Sequence, residues 1–408
     1  MKKVGIIGGG PSGMMAAIAI KRANPKIKVV LLEKKESLGK KLLATGNGRC
    51  NFTNQDLLVK YYHSQDLNLL KNTLDKFGYQ EVLAFFHSIG IEESVKEGYV
   101  YPRSNQANSV LKALVSELTH LQVEIILDTF VREIKREKDF FLLCTDKGKT
   151  LSFNQVILAS GGRANSALGS DGSGYTLAKS LGHSLVPVVP SLVQLVAKSN
   201  PLKKAAGVRT KAKAVAIVNE KEVASAVGEL QITDYGISGI LIFQISRYIS
   251  YELKNKKTPF VELDFAPEYE DEEFLTFLKK RKEKFAHLTW EEFLNGLFPL
   301  KLVRELLKLS NLEAQDLVSK NQDVALKLLH KNIKHLRLLI TDTKGFEMAQ
   351  VCAGGISTRE VKHATMESKV CKNLYLCGEL LDVDGLCGGY NLHFAWASGY
   401  LAGKGCAK

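Results

Sequence analysis

Three glycines spaced G-x-G-x-x-G, Gly8, Gly10 and Gly13, are the first residues of the chain whose types and spacing point to chemistry. They lie in the stretch GGGPSG, between an apolar run, KVGII (3–7), and an alanine-rich, helix-forming stretch, MMAAIAIKRA. In a strand–loop–helix unit Gly8 permits the sharp turn, Gly10 lets the backbone approach a pyrophosphate, and Gly13 lets the helix pack closely on the strand. Backbone N–H groups at the helix start face the phosphates, with the helix dipole behind them. A second apolar run, IKVVLLEK (27–34), ends in Glu33, twenty residues past Gly13. A carboxylate there accepts both hydroxyls of an adenosine ribose and repels a 2′-phosphate. Together these features mark an adenine dinucleotide site, for NAD or FAD.

The other end of the chain decides between the two. A strand, LYLC (374–377), runs into Gly378 and Glu379, then a loop with Asp382, Asp384 and Gly385, then Gly388 and Gly389, where a helix begins. On that helix Ala395, Gly399 and Gly403 fall four apart, so one side carries almost no side chain and can lie flush on a neighbour. The unpaired N–H groups of its first turn are aimed where Gly388 and Gly389 leave room for a flat ligand. A flavin fits that description: two-electron reduction puts negative charge at its pyrimidine end, which a helix N-terminus stabilises without reorganising. An NAD dehydrogenase has no use for such a tail. The expectation is FAD, its adenine half held at the beginning of the chain and its reactive half at the end.

Between these ends lies a polar loop, SLGKKLLATGNGRCNFTN (37–54), too long and too rich in small hydrogen-bonding residues for a plain surface turn. Helical stretches over 66–88 follow, then strands near 122–127, 130–136, 139–145 and 150–158 that read as an antiparallel meander. The last of them empties into Gly161 and Gly162, a spacing at which backbone again passes near a dinucleotide. Residues 185–265 are strand-rich and 268–335 helical, with acids at the helical entry EYEDEEF, where a helix dipole favours them. The expected class is α/β, with domains at 1–184 plus 336–408 for the cofactor, 185–267 as an inserted β-rich substrate subdomain, and 268–335 as a helical subdomain.

Composition sets the outer limits. The chain has 408 residues, 45% hydrophobic and 24% charged, ordinary values for a folded globular protein of two or three domains. No apolar run reaches the roughly 18 residues that span a bilayer, and the glycine-rich start is no signal peptide, so a cytoplasmic location and no membrane partner are expected. Seven cysteines, scattered and without zinc spacing, are read as reduced thiols, and no metal is expected. The net charge of +13 is diffuse. Its densest run, LKKRKEKFAHL (278–288), alternates with apolar positions as a solvated helix face does.

GGGPSG with Glu33, KKLLATGNGRCNFTN, TDYGISG (233–239), TMESK (365–369) and GELLDVDGLCGGYNL together resemble a bacterial family of FAD-binding oxidoreductases that includes aminoacetone oxidase and the dehydro bile acid reductases. The resemblance runs over nearly the whole chain. It implies a glutathione-reductase-like FAD-binding Rossmann domain built from both ends, with an inserted β-barrel and a helical subdomain. It places FAD against Gly8, Gly10, Pro11, Ser12, Gly13, Glu33, Lys34, Lys41, Thr45, Arg49, Cys50, Asn51, Gly161, Gly378, Glu379, Gly389, Asn391 and Leu392, with Val131 as a backbone contact to adenine. His393 departs from the residues carried by relatives and reads as a packed helix residue.

For the reaction, no second G-x-G-x-x-G follows a strand, so a dedicated NAD(P)H domain is not visible. That favours an oxidase of a small primary amine such as aminoacetone, with oxygen as acceptor and peroxide as product. The alternative is an NAD(P)H-dependent reductase of conjugated carbon–carbon double bonds. A third reading, a tRNA-associated flavoprotein, draws on the +13 charge. It is disfavoured because basic and acidic residues interleave without exposed aromatics between them. No catalytic acid or base is assigned. Arg49 and Tyr235 are expected to contact substrate, Arg49 by steering a carbonyl or carboxylate and Tyr235 from a loop at an interdomain cleft. The oligomeric expectation is monomer or homodimer.

Overall fold

The computed structural model describes residues 2–320 and 323–408. The chain divides into two units, one running to Val188 and resuming at Gln350–Lys408, the other spanning Val189–Ala349.

In the first unit a five-stranded sheet has the order Leu374–Leu376, Gln155–Leu158, Lys3–Ile7, Lys28–Leu32, Glu124–Ile126, every neighbouring pair parallel. Ile6 stands opposite Ile157 on one side and Leu31 on the other. Val4, Ile6, Val156, Ile157, Leu158, Leu374 and Leu376 have no exposure, as befits strands covered on both faces. Parallel strands end together, so the loops after Ile7, Leu32, Leu158 and Leu376 emerge along one edge of the sheet, where ligands of such folds bind.

Two helices join the ends of the chain. The opening helix, Pro11–Ala23, carries an alanine- and methionine-rich buried face, with Lys21 and Arg22 in its last turn where a helix dipole favours cations. The closing helix, Tyr390–Ala407, lies directly on it. A Cβ added to Gly399 would sit 2.4 Å from the Ser12 carbonyl oxygen, and one on Gly403 2.5 Å from that of Ala16. The small-residue stripe read from the sequence therefore sets backbone against backbone. Fully buried aromatics pin the other side: Phe52 and Phe86 have ring centroids 4.7 Å apart, Phe86 and Trp396 5.3 Å, and Trp396 Nε1 donates to the Phe52 carbonyl at 3.0 Å. Each such ring contributes about 2–3 kcal/mol by burial.

The meander is shorter than expected. Val131–Arg136, Phe141–Thr145 and Thr150–Phe153 form a three-stranded antiparallel sheet, while Glu124–Ile126 and Gln155–Leu158 belong to the parallel sheet. The reason is burial: Gln155–Leu158 is buried at every position, which a half-exposed meander strand is not. A further small sheet pairs Thr53–Asn54 and Glu93–Lys96 with Tyr99–Pro102, and Val383–Gly385 pairs antiparallel with Tyr62–Ser64.

The second unit is a closed six-stranded barrel: Leu195–Ala197, Gly236–Ser238, Lys221–Ile232, Arg209–Val218, Phe260–Asp264 and Leu336–Thr343, the last pairing back to the first. Two boundaries differ from expectation. Residues 336–343, assigned from sequence to the cofactor domain, supply the closing barrel strand, because Leu336, Leu338 and Ile340 alternate inward. No division falls at 267/268 either, since barrel residues such as Leu230 and Val261 and helical residues such as Trp290, Leu306 and Leu329 form one core. The strand-rich segment also hides a helix, Ile240–Lys254, whose Leu241, Ile242, Ile245 and Ile249 are buried at helical spacing against the barrel strands.

Among the described residues no helix is long and apolar enough to cross a membrane.

Candidate functional site

The loop between the first strand and the opening helix is built by contacts that tolerate no side chain. Gly8 has φ +109°, donates its N–H to the Leu32 carbonyl at 2.8 Å, and would drive a Cβ to 2.4 Å from the Ala159 oxygen. A Cβ on Gly13 would lie 1.9 Å from the Gly8 carbonyl. Gly10 is different: a Cβ there would meet nothing within 4 Å, and Gly10 caps the opening helix without any side-chain hydrogen bond. The helix thus starts, without a side-chain cap, beside open space at Gly10, where an anion such as a pyrophosphate could be met by first-turn N–H groups.

Glu33 stands at the end of its strand as expected. Its Oε2 accepts from Gly9 N at 2.7 Å and its Oε1 from Lys35 N at 2.9 Å, which orients the carboxylate beside the glycine loop. Each oxygen keeps a lone pair for a ribose hydroxyl. Thr129 N bonds the Glu33 carbonyl at 2.9 Å, so the strand that starts at Val131 begins close to it. Lys34 pairs with Asp171 at 2.7 Å.

The C-terminal segment meets the N-terminal one here. A Cβ on Gly378 would lie 2.4 Å from Ser12 Oγ, while the Gly378 N–H bonds Ser398 Oγ at 2.9 Å. Glu379 Oε2 pairs with Lys41 Nζ at 2.7 Å, and its Oε1 accepts from Cys352 N at 2.9 Å. A Cβ on Gly162 would be 3.1 Å from that same Oε1, and Gly161 adopts φ +73° beside Ser170. Residues 8–13, 33–41, 161–162 and 378–379 therefore converge, although they are scattered over the whole chain.

The second cluster forms around the start of the closing helix. Gly389 caps it with φ +93° and no side-chain bond, and a Cβ there would strike Thr53 O at 2.5 Å and Asn51 Oδ1 at 2.8 Å. This brings the arginine loop against the helix start. The loop is wound tightly: Gly46, Asn47, Gly48 and Cys50 all have positive φ. For Asn47 and Cys50 that conformation costs about 1 kcal/mol or more each, strain of the kind found at ligand sites. Burial pushes the Cys50 thiol up to about 12, which leaves it protonated and inert. Arg49 is exposed, its guanidinium 5.4 Å from the centre of the Tyr101 ring.

Some expected residues serve the scaffold visibly. Asn391 clips the preceding turn, accepting from Gly385 N at 2.8 Å and donating to Gly385 O at 2.9 Å. Thr45 Oγ1 donates to Leu42 O at 2.6 Å. His393 is buried between Thr53 Oγ1 at 2.8 Å and the Phe77 carbonyl at 3.0 Å, and desolvation lowers it to about 4. It is a packed helix residue, as its sequence position implied. Tyr235 belongs to the second unit, where Lys344 Nζ lies 4.7 Å from its ring centre. Sequence reasoning passed over Tyr99, Tyr101 and Tyr390, which gather at the start of the closing helix. The alternation YVY and the GGYN motif were the available signals.

An adenine–flavin dinucleotide fits these residues: one uncapped helix start with open space at Gly10, one at Gly389, and a carboxylate set beside the first. Comparison with known proteins agrees. The family described as HI0933-like protein Rossmann domain matches residues 2–405. Over 408 residues, all of both chains, the sequence is 48% identical to a 3-dehydro-bile acid delta(4,6)-reductase of Clostridium scindens. It is 29% identical to a ribosomal RNA dihydrouridine synthase of Haemophilus influenzae, covering 97% of this chain and 96% of that one. Among solved structures, a 3-ketosteroid-delta4-(5alpha)-dehydrogenase from Rhodococcus jostii RHA1 matches with TM-score 0.50 and 15% identity, covering 100% of this chain and 97% of that one, a likeness of fold.

Proposed function

The chain belongs to the HI0933-like Rossmann-domain family, and from that premise we propose that it reduces a carbon–carbon double bond conjugated to a carbonyl, with 3-oxo-Δ4,6 bile acids as the substrate class. The coarser statement is secure: it is an FAD-dependent oxidoreductase. The observation that carries the finer one is 48% identity, without a gap in coverage, to a protein named for reduction of a bile acid. The amine-oxidase expectation rested on the missing second nucleotide fingerprint, and nothing further supports it. The reductase alternative fits better, since NAD(P)H can bind transiently to a flavoenzyme that has no fingerprint for it.

Bound FAD supplies hydride transfer. Gly10 and the N–H groups after it hold the pyrophosphate, Glu33 the adenosine ribose, and the Lys41–Glu379 pair and Gly389 line the remainder. The uncapped start of the closing helix would favour negative charge on the part of the cofactor seated against it. Arg49, exposed beside Tyr101, orients the carbonyl or carboxylate of the substrate.

A second reading has its own support. The uracil 5,6 double bond is also conjugated to a carbonyl, two relatives are named ribosomal RNA dihydrouridine synthases, and the chain carries +13. One experiment separates the two. Purified holoenzyme with NAD(P)H is offered a 3-oxo-Δ4,6 bile acid and, separately, unmodified ribosomal RNA, with products read by mass, and in a third arm aminoacetone in air without NAD(P)H, with peroxide measured. A bile acid heavier by two hydrogens per bond reduced supports the main reading; dihydrouridine alone moves the assignment to RNA; peroxide from aminoacetone with neither product restores the oxidase.

A further inference from the structure

The strand Tyr99–Pro102 and the GGYN turn bring three tyrosines to the start of the closing helix. A Cβ on Gly388 would lie 2.9 Å from Tyr99 Cε1 and 3.1 Å from Tyr390 Cε2, so both rings close on that glycine. Tyr101 Cε1 is 3.6 Å from the Cβ position of Gly46 in the arginine loop. Adjacent tyrosines have structural partners: Tyr62 donates to the Tyr390 carbonyl at 3.1 Å, and Tyr61 donates to Asp56. Among the described residues no hydrogen bond engages the hydroxyls of Tyr99, Tyr101 and Tyr390; Tyr390 is buried and the other two are half-buried. A fixed phenol whose hydroxyl is left to a ligand is a hydrogen-bond donor in waiting. The three rings also differ from one another. Tyr390 is packed by Tyr61 and Tyr62 at 5.2 and 5.6 Å, and Tyr101 is covered by Arg49, whereas Tyr99 has no such cover. Burial raises Tyr99, with Cys387 and Tyr101 adding to it, and raises Tyr390 to about 12. Both phenols are therefore protonated at neutral pH.

We propose that Tyr99 is the proton donor of the reduction and that Tyr101 and Tyr390 hold the substrate's conjugated ring beside it, an assignment that rests on the reductase reading. The balance is simple. A hydride from reduced flavin forms the new C–H bond at the carbon β to the carbonyl, and the π pair of the double bond moves onto the carbonyl as an enolate. The Tyr99 O–H bond breaks in the same rate-determining step, protonating the α carbon as the enolate charge develops, and water returns a proton to the phenolate. NAD(P)H is the source of the hydride.

The test uses dithionite-reduced holoenzyme mixed anaerobically with a 3-oxo-Δ4,6 bile acid, following return of the yellow flavin. Tyr99→Phe is expected to keep its FAD and to bind the substrate as tightly as the native protein by perturbation of the oxidised flavin spectrum. Its reoxidation should fall about 100-fold, and the solvent deuterium effect expected of the native protein should be lost. Tyr101→Ala should instead weaken substrate binding severalfold. Reoxidation of Tyr99→Phe at the native rate overturns the proposal, and so does loss of FAD from that variant, which would make Tyr99 part of the cofactor's seat. Native enzyme that keeps FAD yet is not reoxidised by the bile acid overturns the reductase reading itself, and the role of Tyr99 with it.

Discussion

Gly10 and Gly13 share one motif but make opposite demands. An alanine at 13 collides with the Gly8 carbonyl, whereas at 10 it meets nothing and sits at φ −80°, which any residue adopts. Gly10→Ala should therefore leave apoprotein melting within about a degree of native, yet weaken FAD at least about tenfold, because the space it fills is the one proposed for the pyrophosphate. Equilibrium dialysis of FAD beside a thermal melt measures both. His393 makes a second residue-scale prediction. Its folded pKa of about 4 lies below the unfolded value near 6.5, so the unfolded chain binds more protons between them. The stability contributed is fully present above pH 6.5 and is lost as pH falls toward 4, about 3 kcal/mol in all. Urea unfolding at pH 7 and pH 4.5 should show a smaller loss for His393→Gln than for native protein; equal losses would contradict it. Single glycines were legible because their spacing encodes backbone approach. The tyrosines were not, since aromatic residues in a short strand look like core until the fold shows what lies before them.

At the scale of elements, the join between the opening and closing helices holds the site together. Alanine at Gly399 would press its Cβ to within 2.4 Å of the backbone oxygen of Ser12, the residue that also abuts Gly378. Overpacking of this kind costs about 1–3 kcal/mol. Gly399→Ala should lower the melting temperature by several degrees and reduce the FAD retained on purification, whereas alanine at Gly148, whose Cβ position is open, should leave FAD retention unchanged. The four-residue spacing of Ala395, Gly399 and Gly403 made this join readable from sequence. The helix Ile240–Lys254 was not read, because ILIFQISRYI is rich in β-branched and aromatic residues that favour strands. Its 3–4 spacing of buried Leu241, Ile242, Ile245 and Ile249 was the signal that outweighs composition.

For the whole molecule, the chain is a cofactor unit interrupted by a unit with its own core. Residues 189–349, expressed alone, should unfold cooperatively and be colourless, since the loops proposed to hold the cofactor all lie outside them. A fragment that retained flavin would contradict that division. The change in pattern after residue 185 is what set the expectation of an interruption. Its end was placed too early because the strand Leu336–Thr343 returns to pair with Leu195–Ala197, and such long-range pairing leaves no local mark. The central claim is that both ends of the chain form one FAD cradle that passes electrons out to a conjugated double bond. Its most direct test is a pair of anaerobic mixings read at the flavin's visible absorbance. NAD(P)H-reduced enzyme should regain its yellow colour on meeting a 3-oxo-Δ4,6 bile acid, and oxidised enzyme should keep its colour in aminoacetone; bleaching by aminoacetone with no recovery by the bile acid would contradict the account.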